Sequence, residues 1–349
     1  MASRILLARE NAKYAPAPPG VTPNYEHPAS NGGMYMAGTL TTLVVAFICL
    51  LIRLGTKQWG PRRRLQWDDF LIVLAFLFSV ARTACFAVDI YHYGIAHHVW
   101  DIPLPFNRNT WLLHRIADIM WPPGMLCAKL SILITYLQIF GHYRKFKWAV
   151  WGVMAFNIAY LGATTLVHIF WCTPVAATYG IKKPGQKAAV CIDGYKTDLS
   201  IGALNLLTDT IILILPMPML YHLQLSKARK VAVASVFCVG AVTVGATIAR
   251  EVEIADKLKN SETDQTWVVM YEALWISVEL NTAIAASCML LCQHFFKYIL
   301  VESKFGHSMQ SLLRTNRSSG SSQRSGGSSR YGQNETKAFD LTGNHGNST

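Results

Sequence analysis

Charged residues are scarce in this sequence. They make up 15% of the 349 residues, against 52% for hydrophobic residues, and soluble globular proteins carry about 25% charged residues. The hydrophobic residues are also clustered rather than evenly spread. A soluble α-helical protein would need to bury seven near-continuous apolar runs, so the composition favours a membrane protein.

Seven apolar runs are long enough to cross a bilayer, whose hydrocarbon core is about 30 Å thick and needs roughly 20 residues of helix. The runs are Tyr35–Ile52, Phe70–Tyr91, Ile116–Phe140, Trp148–Trp171, Leu199–Leu220, Val231–Ala249 and Val268–Phe296. They predict an all-α membrane protein built as a seven-transmembrane helix bundle.

Acidic residues are fewer than basic ones, 20 against 32, and the net charge is +12. Lys and Arg are concentrated in the tail and in the loops after the first, third and fifth runs, the first of which begins with Arg53. Because basic loops face the cytoplasm, we expect the N-terminus outside and the C-terminus in the cytoplasm. Arg250 and the acidic segment Glu251–Asp264 then fall in an outer loop. The positive charge follows from this topology and from attraction to anionic lipid, and nucleic acid is not an expected partner.

Only two of the eight cysteines lie outside the apolar runs. A thiol inside a run behaves as a small hydrophobic side chain. Cys172 and Cys191 bracket a loop on the predicted outer face, where the compartment is oxidising and disulfides persist. We therefore predict a Cys172–Cys191 disulfide rather than two free thiols. It would close a loop of about 20 residues and contribute roughly 3 kcal/mol.

The two ends of the chain are poor in apolar residues. Residues 1–33 contain five prolines and lack the apolar core of a cleavable signal peptide, so we expect a disordered extracellular lead. Residues 301–349 are rich in Ser, Gly and Arg, which predicts a disordered cytoplasmic tail. The transmembrane domain is assigned to residues 34–300, without the internal repeat that is common in transporters.

Polar side chains inside the apolar runs form a second pattern. Such groups are costly in a membrane, so they face protein or water rather than lipid. Residues four, seven or eleven positions apart share a helix face, as Asn205 and Asp209 do. The candidate residues for a central polar network are Arg82, Asp89, Arg115, Asp118, Lys129, Asn205, Asp209, Glu272, Glu279 and Asn281.

Two interpretations of this network compete. It holds the helices together and fixes their register, or it lines a cavity in which charged groups exchange partners when a ligand binds. Asp209 needs a basic partner in either case, and Arg82 and Lys129 are the two candidates. Asp68 and Asp69, at the start of the second run, have a simpler interpretation as caps of the first helical turn.

Six motifs follow one another along the chain. They are WDDF, AKLSILITYLQIF, WCTP followed by Cys191, LNLLTDTIILILPMPMLYHLQLSKARK, ATIAR and LWISVELNTAIAASCMLL. Over residues 35–300 this ordered set resembles the fungal rhodopsin-domain integral membrane proteins, which include receptor-like proteins and membrane proteins of secondary-metabolite clusters of the satratoxin type. The resemblance implies a seven-helix fold with its N-terminus outside.

A retinal cofactor is not expected, although the family is named after rhodopsin. Retinal attachment needs a lysine in the seventh span, and Val268–Phe296 contains none. We also expect no other organic cofactor and no bound metal. The Asp-Arg-Tyr and Asn-Pro-x-x-Tyr motifs of animal rhodopsin-like receptors do not occur in spans three and seven, so similarity to those receptors is limited to architecture.

Three functional hypotheses follow. The favoured one is a receptor-like or sensor protein of the plasma membrane that binds a hydrophobic small molecule among the compensated charges and signals to a cytoplasmic partner. The alternative, which depends on the resemblance, is an accessory membrane protein of a secondary-metabolite pathway. The third is an intramembrane enzyme in which Glu279 or Asp209 donates a proton, as in an acid-initiated isoprenoid cyclisation. Since no nucleophile–base pair or metal motif is visible, enzymatic activity is not the expectation.

Overall fold

The computed structural model describes residues 14–59, 66–102, 108–179, 181, 189–221, 227–260 and 264–297. Within these ranges it is mostly helical and contains seven long helices. They are α1 (Gly32–Trp59), α2 (Trp67–Val88), α3 (Arg108–Phe140), α4 (Arg144–Ile169), α5 (Gly194–Ile214), α6 (Lys227–Asn260) and α7 (Gln265–Lys297). The start of the predicted lead, residues 1–13, and the predicted tail, residues 301–349, lie outside the described residues.

Six of the helical segments are long and apolar enough to cross a membrane in the part of the chain that the structure describes. They are Gly32–Gln58, Trp67–Tyr93, Arg108–Phe140, Arg144–Ile169, Lys196–Met219 and Gln265–Leu290. The remaining predicted span, Val231–Ala249, lies within α6. The segment Glu251–Asp264, which was expected as an outer loop, is helical up to Asn260, so that expectation was wrong for most of its length.

Local sequence explains where several helices begin and end. The Asp69 carboxylate accepts a hydrogen bond of 3.0 Å from the backbone N–H of Gln66, which caps the start of α2 as predicted. At its other end α2 passes into a π-helical turn, Asp89–Tyr93, and Gly94 stops it with a left-handed φ of 78°. Helix α5 ends before Pro216, because proline has no N–H to continue the ladder and its ring clashes with the preceding turn.

Apolar side chains cover the outward sides of the helices as well as their contacts. Val44 and Leu51 on α1 and Phe70 on α2 each leave more than half of their surface uncovered. Ile72 and Met125 are fully buried in a cluster shared by α1, α2, α3, α4 and α7. Large apolar residues on the outside suit a hydrocarbon solvent and would be a liability in water.

A short hairpin marks one end of the packed helices. Strand β1 (Cys172–Thr173) pairs antiparallel with β2 (Val190–Cys191), and a disulfide joins Cys172 to Cys191. The predicted disulfide is confirmed. We call this side of the molecule the disulfide end, and it is where α1, α3, α5 and α7 begin.

The described part of the N-terminal lead contacts the disulfide end. The backbone N–H of Asn24 donates to the Asp101 carboxylate at 3.0 Å. Asn31 donates from its side-chain amide to the Trp267 carbonyl at 2.8 Å and from its backbone to the Ala96 carbonyl at 3.1 Å. The lead therefore connects the loop before α3 to the start of α7.

Candidate ligand-binding cavity and polar network

A cavity of about 710 Å³ opens among the helices at the disulfide end. Much of its wall is aromatic, from the side chains of Phe86, Trp111, Trp121 and Trp171. Its charged lining residues are Arg82, Arg115, Arg250, Asp118, Asp198 and Glu272. The volume lies within the range of about 300 to 1,000 Å³ that is usual for small-molecule sites, and an apolar wall with a few polar groups is their usual composition.

Each of the three cavity arginines lies over an aromatic ring. The distances from guanidinium carbon to ring centre are 4.8 Å for Arg82 and Phe86, 4.7 Å for Arg115 and Trp171, and 5.2 Å for Arg250 and Trp121. A cation within about 6 Å of a ring centre is attracted to the negative face of the ring. The aromatic wall therefore also holds the guanidinium groups in place.

A buried network around Lys129 connects α3, α4 and α5. The Lys129 Nζ lies 2.9 Å from Asp209 Oδ1 and donates to Asn205 Oδ1 and Thr208 Oγ1, both at 2.7 Å. The Tyr160 hydroxyl also donates to Asn205 Oδ1, at 3.0 Å. Of the two bases considered for Asp209, the structure therefore pairs it with Lys129.

Glu279 extends this network to α6 and α7. The Asn205 side-chain amide donates to Glu279 Oε1, and Glu279 Oε2 lies 3.6 Å from Arg250 Nε. Arg250 is also 3.2 Å from Glu251. Asp209 and Glu279, the two acids considered as proton donors, are thus both engaged by basic residues, and neither is among the described residues that line the cavity. Arg250 does line the cavity, so it joins the cavity to the network.

Asp118 pairs within its own helix rather than with Lys129. Its Oδ2 lies 3.6 Å from Arg115 Nη1 and 3.4 Å from His114 Nε2. Although Asp118 and Lys129 share a helix face, eleven residues rise about 16 Å along an α-helix. The structure accordingly places Arg115 and Asp118 at the cavity and Lys129 deeper in the packed helices.

Arg82 and Asp89 both lie on the α2 side of the cavity region but meet different partners. Arg82 Nη1 donates to Ser277 Oγ at 2.6 Å and to the Ala273 carbonyl at 3.3 Å. Asp89 is buried in the π-helical turn, close to Thr110 of α3. Although Arg82 and Asp89 share a helix face, they do not form one of the described ion pairs.

Asn281 belongs to a separate, uncharged cluster. It accepts a hydrogen bond of 2.6 Å from Ser79 and donates to Thr42 at 3.0 Å. These contacts tie α7 to α1 and α2. Glu272, four residues after Val268, faces the cavity instead. Nine of the ten predicted residues are therefore divided among the cavity, the Lys129 network and this cluster, and Asp89 lies apart from them in the π-helical turn.

A further charged cluster lies at the opposite end of the helices. Arg53 of α1 contacts Asp68 at 2.5 Å and Asp69 at 3.0 Å, and Lys57 contacts the same two acids at 3.0 and 2.6 Å. Ser131 hydroxyl donates to the Asp68 carbonyl at 2.9 Å. We call these four charged residues the opposite-end cluster. The two acids were interpreted as helix caps alone, and the sequence interpretation missed their ion pairs because Arg53 had been assigned to a loop.

Arg250 was missed for a similar reason. It had been placed in an outer loop because the apolar run ends at Ala249. One signal could have identified it, since Thr243, Thr247 and Arg250 are spaced four and seven apart on α6, as one helix face requires. All three are at least 95% buried. A polar stripe that continues past an apolar run thus indicates that the helix continues as well.

Several fungal proteins are similar to this chain in sequence. The chain is 25% identical over 330 residues to Receptor GIN3 of Arthrobotrys oligospora, covering 90% of this chain and 75% of that protein. It is 28% identical to a SAT4 family membrane protein of Emericella nidulans, over 61% of this chain and about half (51%) of that protein. It is also 28% identical to Satratoxin biosynthesis SC1 cluster protein 4 of Stachybotrys chartarum, over 46% of this chain and 56% of that protein.

The family itself is shown by a match over most of the helices. The model of the fungal rhodopsin domain matches residues 52–298, which runs from the end of α1 to the end of α7. Together with the apolar helices and the membrane-protein relatives, this match identifies an integral membrane protein. The chain belongs to the fungal rhodopsin domain family.

Proposed function

We propose that the protein is a receptor-like membrane protein that binds an apolar small molecule in the cavity at the disulfide end. In this proposal seven helices cross the plasma membrane, with α6 as the sixth, and the N-terminus lies outside. The observation that carries the proposal is the cavity of about 710 Å³ with its aromatic wall and its three arginines, of which Arg82 and Arg250 are buried. The relative named as a receptor supports the same function.

Arg250 provides a route from the ligand to the rest of the protein. It lines the cavity and lies 3.6 Å from Glu279, which is hydrogen-bonded to Asn205 beside the Lys129–Asp209 pair. A ligand shifts a conformational equilibrium when it binds one state more tightly than the other. A molecule that competes for Arg250 would therefore change the partners of Glu279 and, through them, the packing of α5 and α7.

The test is to fill the cavity without changing anything else. Ile201 of α5 lines the cavity and is buried, whereas Leu204 on the same helix leaves 40% of its surface exposed. We expect apolar ligands found in a thermal-shift screen on wild-type protein in lipid nanodiscs to bind Ile201→Trp at least tenfold more weakly. Leu204→Trp is the matched control, because the same indole is added to the outward side.

The result separates a ligand site from a structural void. Retained ligand binding in Ile201→Trp, with both variants folded, would rule out the cavity as the site. Equal loss of binding in both variants would point to a general effect of added bulk on α5. A loss confined to Ile201→Trp supports the proposal.

A second function has its own support from the relatives. One of them is named as a protein of the satratoxin biosynthesis cluster, which favours an accessory role in a secondary-metabolite pathway for this chain too. In that role the cavity would hold a lipophilic intermediate or product. Deleting the gene in its host and profiling extracted metabolites tests this. Loss or accumulation of one apolar metabolite family would favour the accessory role, and an unchanged profile would favour the receptor.

A further inference from the structure

Arg82 is a buried base whose described contacts are all with uncharged groups. Its side chain is 2% exposed, and its Nη1 donates to Ser277 Oγ at 2.6 Å and to the Ala273 carbonyl at 3.3 Å. The Phe86 ring lies 4.8 Å below the guanidinium. Its Nε is buried and has no hydrogen-bond partner among the described residues.

The other lysine and arginine side chains that are buried or nearly buried in the described helices differ from Arg82 in having a carboxylate within 4 Å. The closest contacts are 2.5 Å for Arg53 and Asp68, 2.9 Å for Lys129 and Asp209, 3.2 Å for Arg250 and Glu251, and 3.6 Å for Arg115 and Asp118. Within the described residues Arg82 has no such contact. Asp118 acts on Arg82 electrostatically from further away, but no described carboxylate touches the guanidinium. A buried charge without a direct partner is costly in a membrane protein and is by default a sign of a functional site.

The position of Arg82 in the cavity indicates which kind of compound could supply a carboxylate in direct contact with it. Arg82 lines the cavity together with Phe86, Trp111, Val269 and Ile276. A guanidinium presents its N–H groups as a fork that matches a carboxylate. The neighbouring wall is apolar and suits a hydrocarbon or aromatic body.

We propose that the ligand of this cavity is an apolar carboxylic acid whose carboxylate pairs with Arg82. This inference rests on the proposed function, since it names the class of molecule that the same cavity binds. The acids Asp118, Asp198 and Glu272 also line the cavity, and an amine would be drawn to them instead. Acid, amine and neutral compounds of the same chain length therefore give different predictions.

The experiment compares four probes that differ only in their head group. Dodecanoic acid, its methyl ester, dodecanol and dodecylamine are titrated against the full chain in nanodiscs of neutral lipid, with empty nanodiscs to correct for partitioning. We expect dodecanoate to bind at least tenfold more tightly than the ester, the alcohol or the amine. The melting temperature of the protein should rise most with the acid.

Variants of Arg82 connect this preference to one residue. Arg82→Gln should lower dodecanoate affinity at least tenfold and leave dodecanol binding within about twofold. Arg82→Lys keeps the charge but loses the fork of N–H groups, so its affinity for dodecanoate should fall between those of wild-type protein and Arg82→Gln. Arg108→Gln is the matched control, because Arg108 begins α3 at the same end of the molecule and is exposed. It should bind the acid as wild-type protein does.

The outcomes separate this inference from the proposed function. In one outcome the acid, ester and alcohol bind equally, with no effect of Arg82→Gln but weaker binding to Ile201→Trp. That result would overturn the carboxylate inference and leave the cavity as a ligand site. Tighter binding of dodecylamine would overturn it in favour of the cavity acids. Failure of every probe, together with no effect of Ile201→Trp in the wider ligand screen, would overturn both proposals.

Discussion

The opposite-end cluster and the cavity arginines both place charge inside the packed helices, but only in the first does every nitrogen of the buried arginine donate a hydrogen bond. Arg53 uses all three of its nitrogens, donating to Asp68, Asp69, Ser131 and Ser287 at 2.5 to 3.3 Å. At the cavity, Arg250 leaves Nε and Nη2 without a hydrogen bond in the described structure, and Arg82 leaves Nε.

This difference distinguishes two uses of buried charge. A buried ion pair repays its desolvation only when its geometry is good and its remaining hydrogen-bonding groups are satisfied. The opposite-end cluster meets both conditions, which fits a fixed joint between α1, α2, α3 and α7. Buried polar atoms without partners are rare in folded proteins and need an explanation. Those of Arg250 lie within 4 Å of the Glu251 and Glu279 carboxylates. The unbonded Nε of Arg82 belongs to a residue that lines the cavity, so an exchangeable ligand or water is its simplest explanation.

The largest expected effect comes from breaking the paired cluster. Arg53→Met would leave Asp68 and Asp69 with Lys57 as their remaining basic partner in the described structure, at the cost of about 3–5 kcal/mol that is typical of an unpaired buried charge. We expect a large loss of monodisperse protein in size-exclusion chromatography and a lower melting temperature.

The control removes charge without leaving an acid unpaired. Arg53→Met combined with Asp68→Leu and Asp69→Leu should recover much of the lost stability, because an apolar set can replace a buried ion pair. A melting temperature of Arg53→Met equal to that of wild-type protein would contradict the role of the cluster as a joint.

The helices themselves could largely be predicted from the sequence. A run of about 20 apolar residues is a direct consequence of bilayer thickness, and each predicted span lies within helix apart from the break at Pro216 and the last two residues of Trp148–Trp171, which follow the end of α4 at Ile169. The ends of the helices could not be predicted in the same way, since hydropathy detects only the part of a helix that lies inside hydrocarbon. Helix α3 begins at Arg108, ahead of the predicted Ile116, and α6 continues past Ala249 to Asn260.

The pairing of charges was predicted less well than their burial. Periodicity gives the face of one helix, but it does not give the depth or rotation of that face against its neighbours. Asp209 was expected to need a base, and periodicity alone did not distinguish Arg82 from Lys129; the structure places Lys129 2.9 Å from Asp209. Arg53 and Arg250 were lost because each follows directly after an apolar run and was assigned to a loop.

Arg82 provides the opposite test to Arg53. Because no described carboxylate lies within 4 Å of Arg82, Arg82→Met removes a buried charge and breaks no direct ion pair. We expect the ligand-free protein to gain stability, by about 1 kcal/mol or more, and to melt at a higher temperature in nanodiscs. A loss of stability comparable to that of Arg53→Met would mean that Arg82 is compensated in the ligand-free protein, and the distinction between the two regions would fail.

The smallest effect is expected at an exposed ion pair of the disulfide end, because water solvates both charges whether or not they are paired. Asp193 and Lys196 are 2.9 Å apart with side chains 50% and 72% exposed, and the hydrogen bond from Lys196 lowers the pKa of Asp193. Asp193→Asn keeps a good helix cap for α5 and removes only the charge. A lowered carboxyl pKa stabilises the fold above the unfolded pKa, and this contribution is lost as the pH falls through the folded one.

Any advantage of wild-type protein over Asp193→Asn should therefore be slight at neutral pH and vanish in acid. Added salt should also abolish it, because exposed charges are screened. Melting curves of the two proteins across pH and salt measure this difference directly. A drop of several degrees at neutral pH would show that exposure does not predict the worth of an ion pair in this protein. The three substitutions, at Arg53, Arg82 and Asp193, are ranked by how deeply the charge is buried, because burial is what makes an unpaired charge costly.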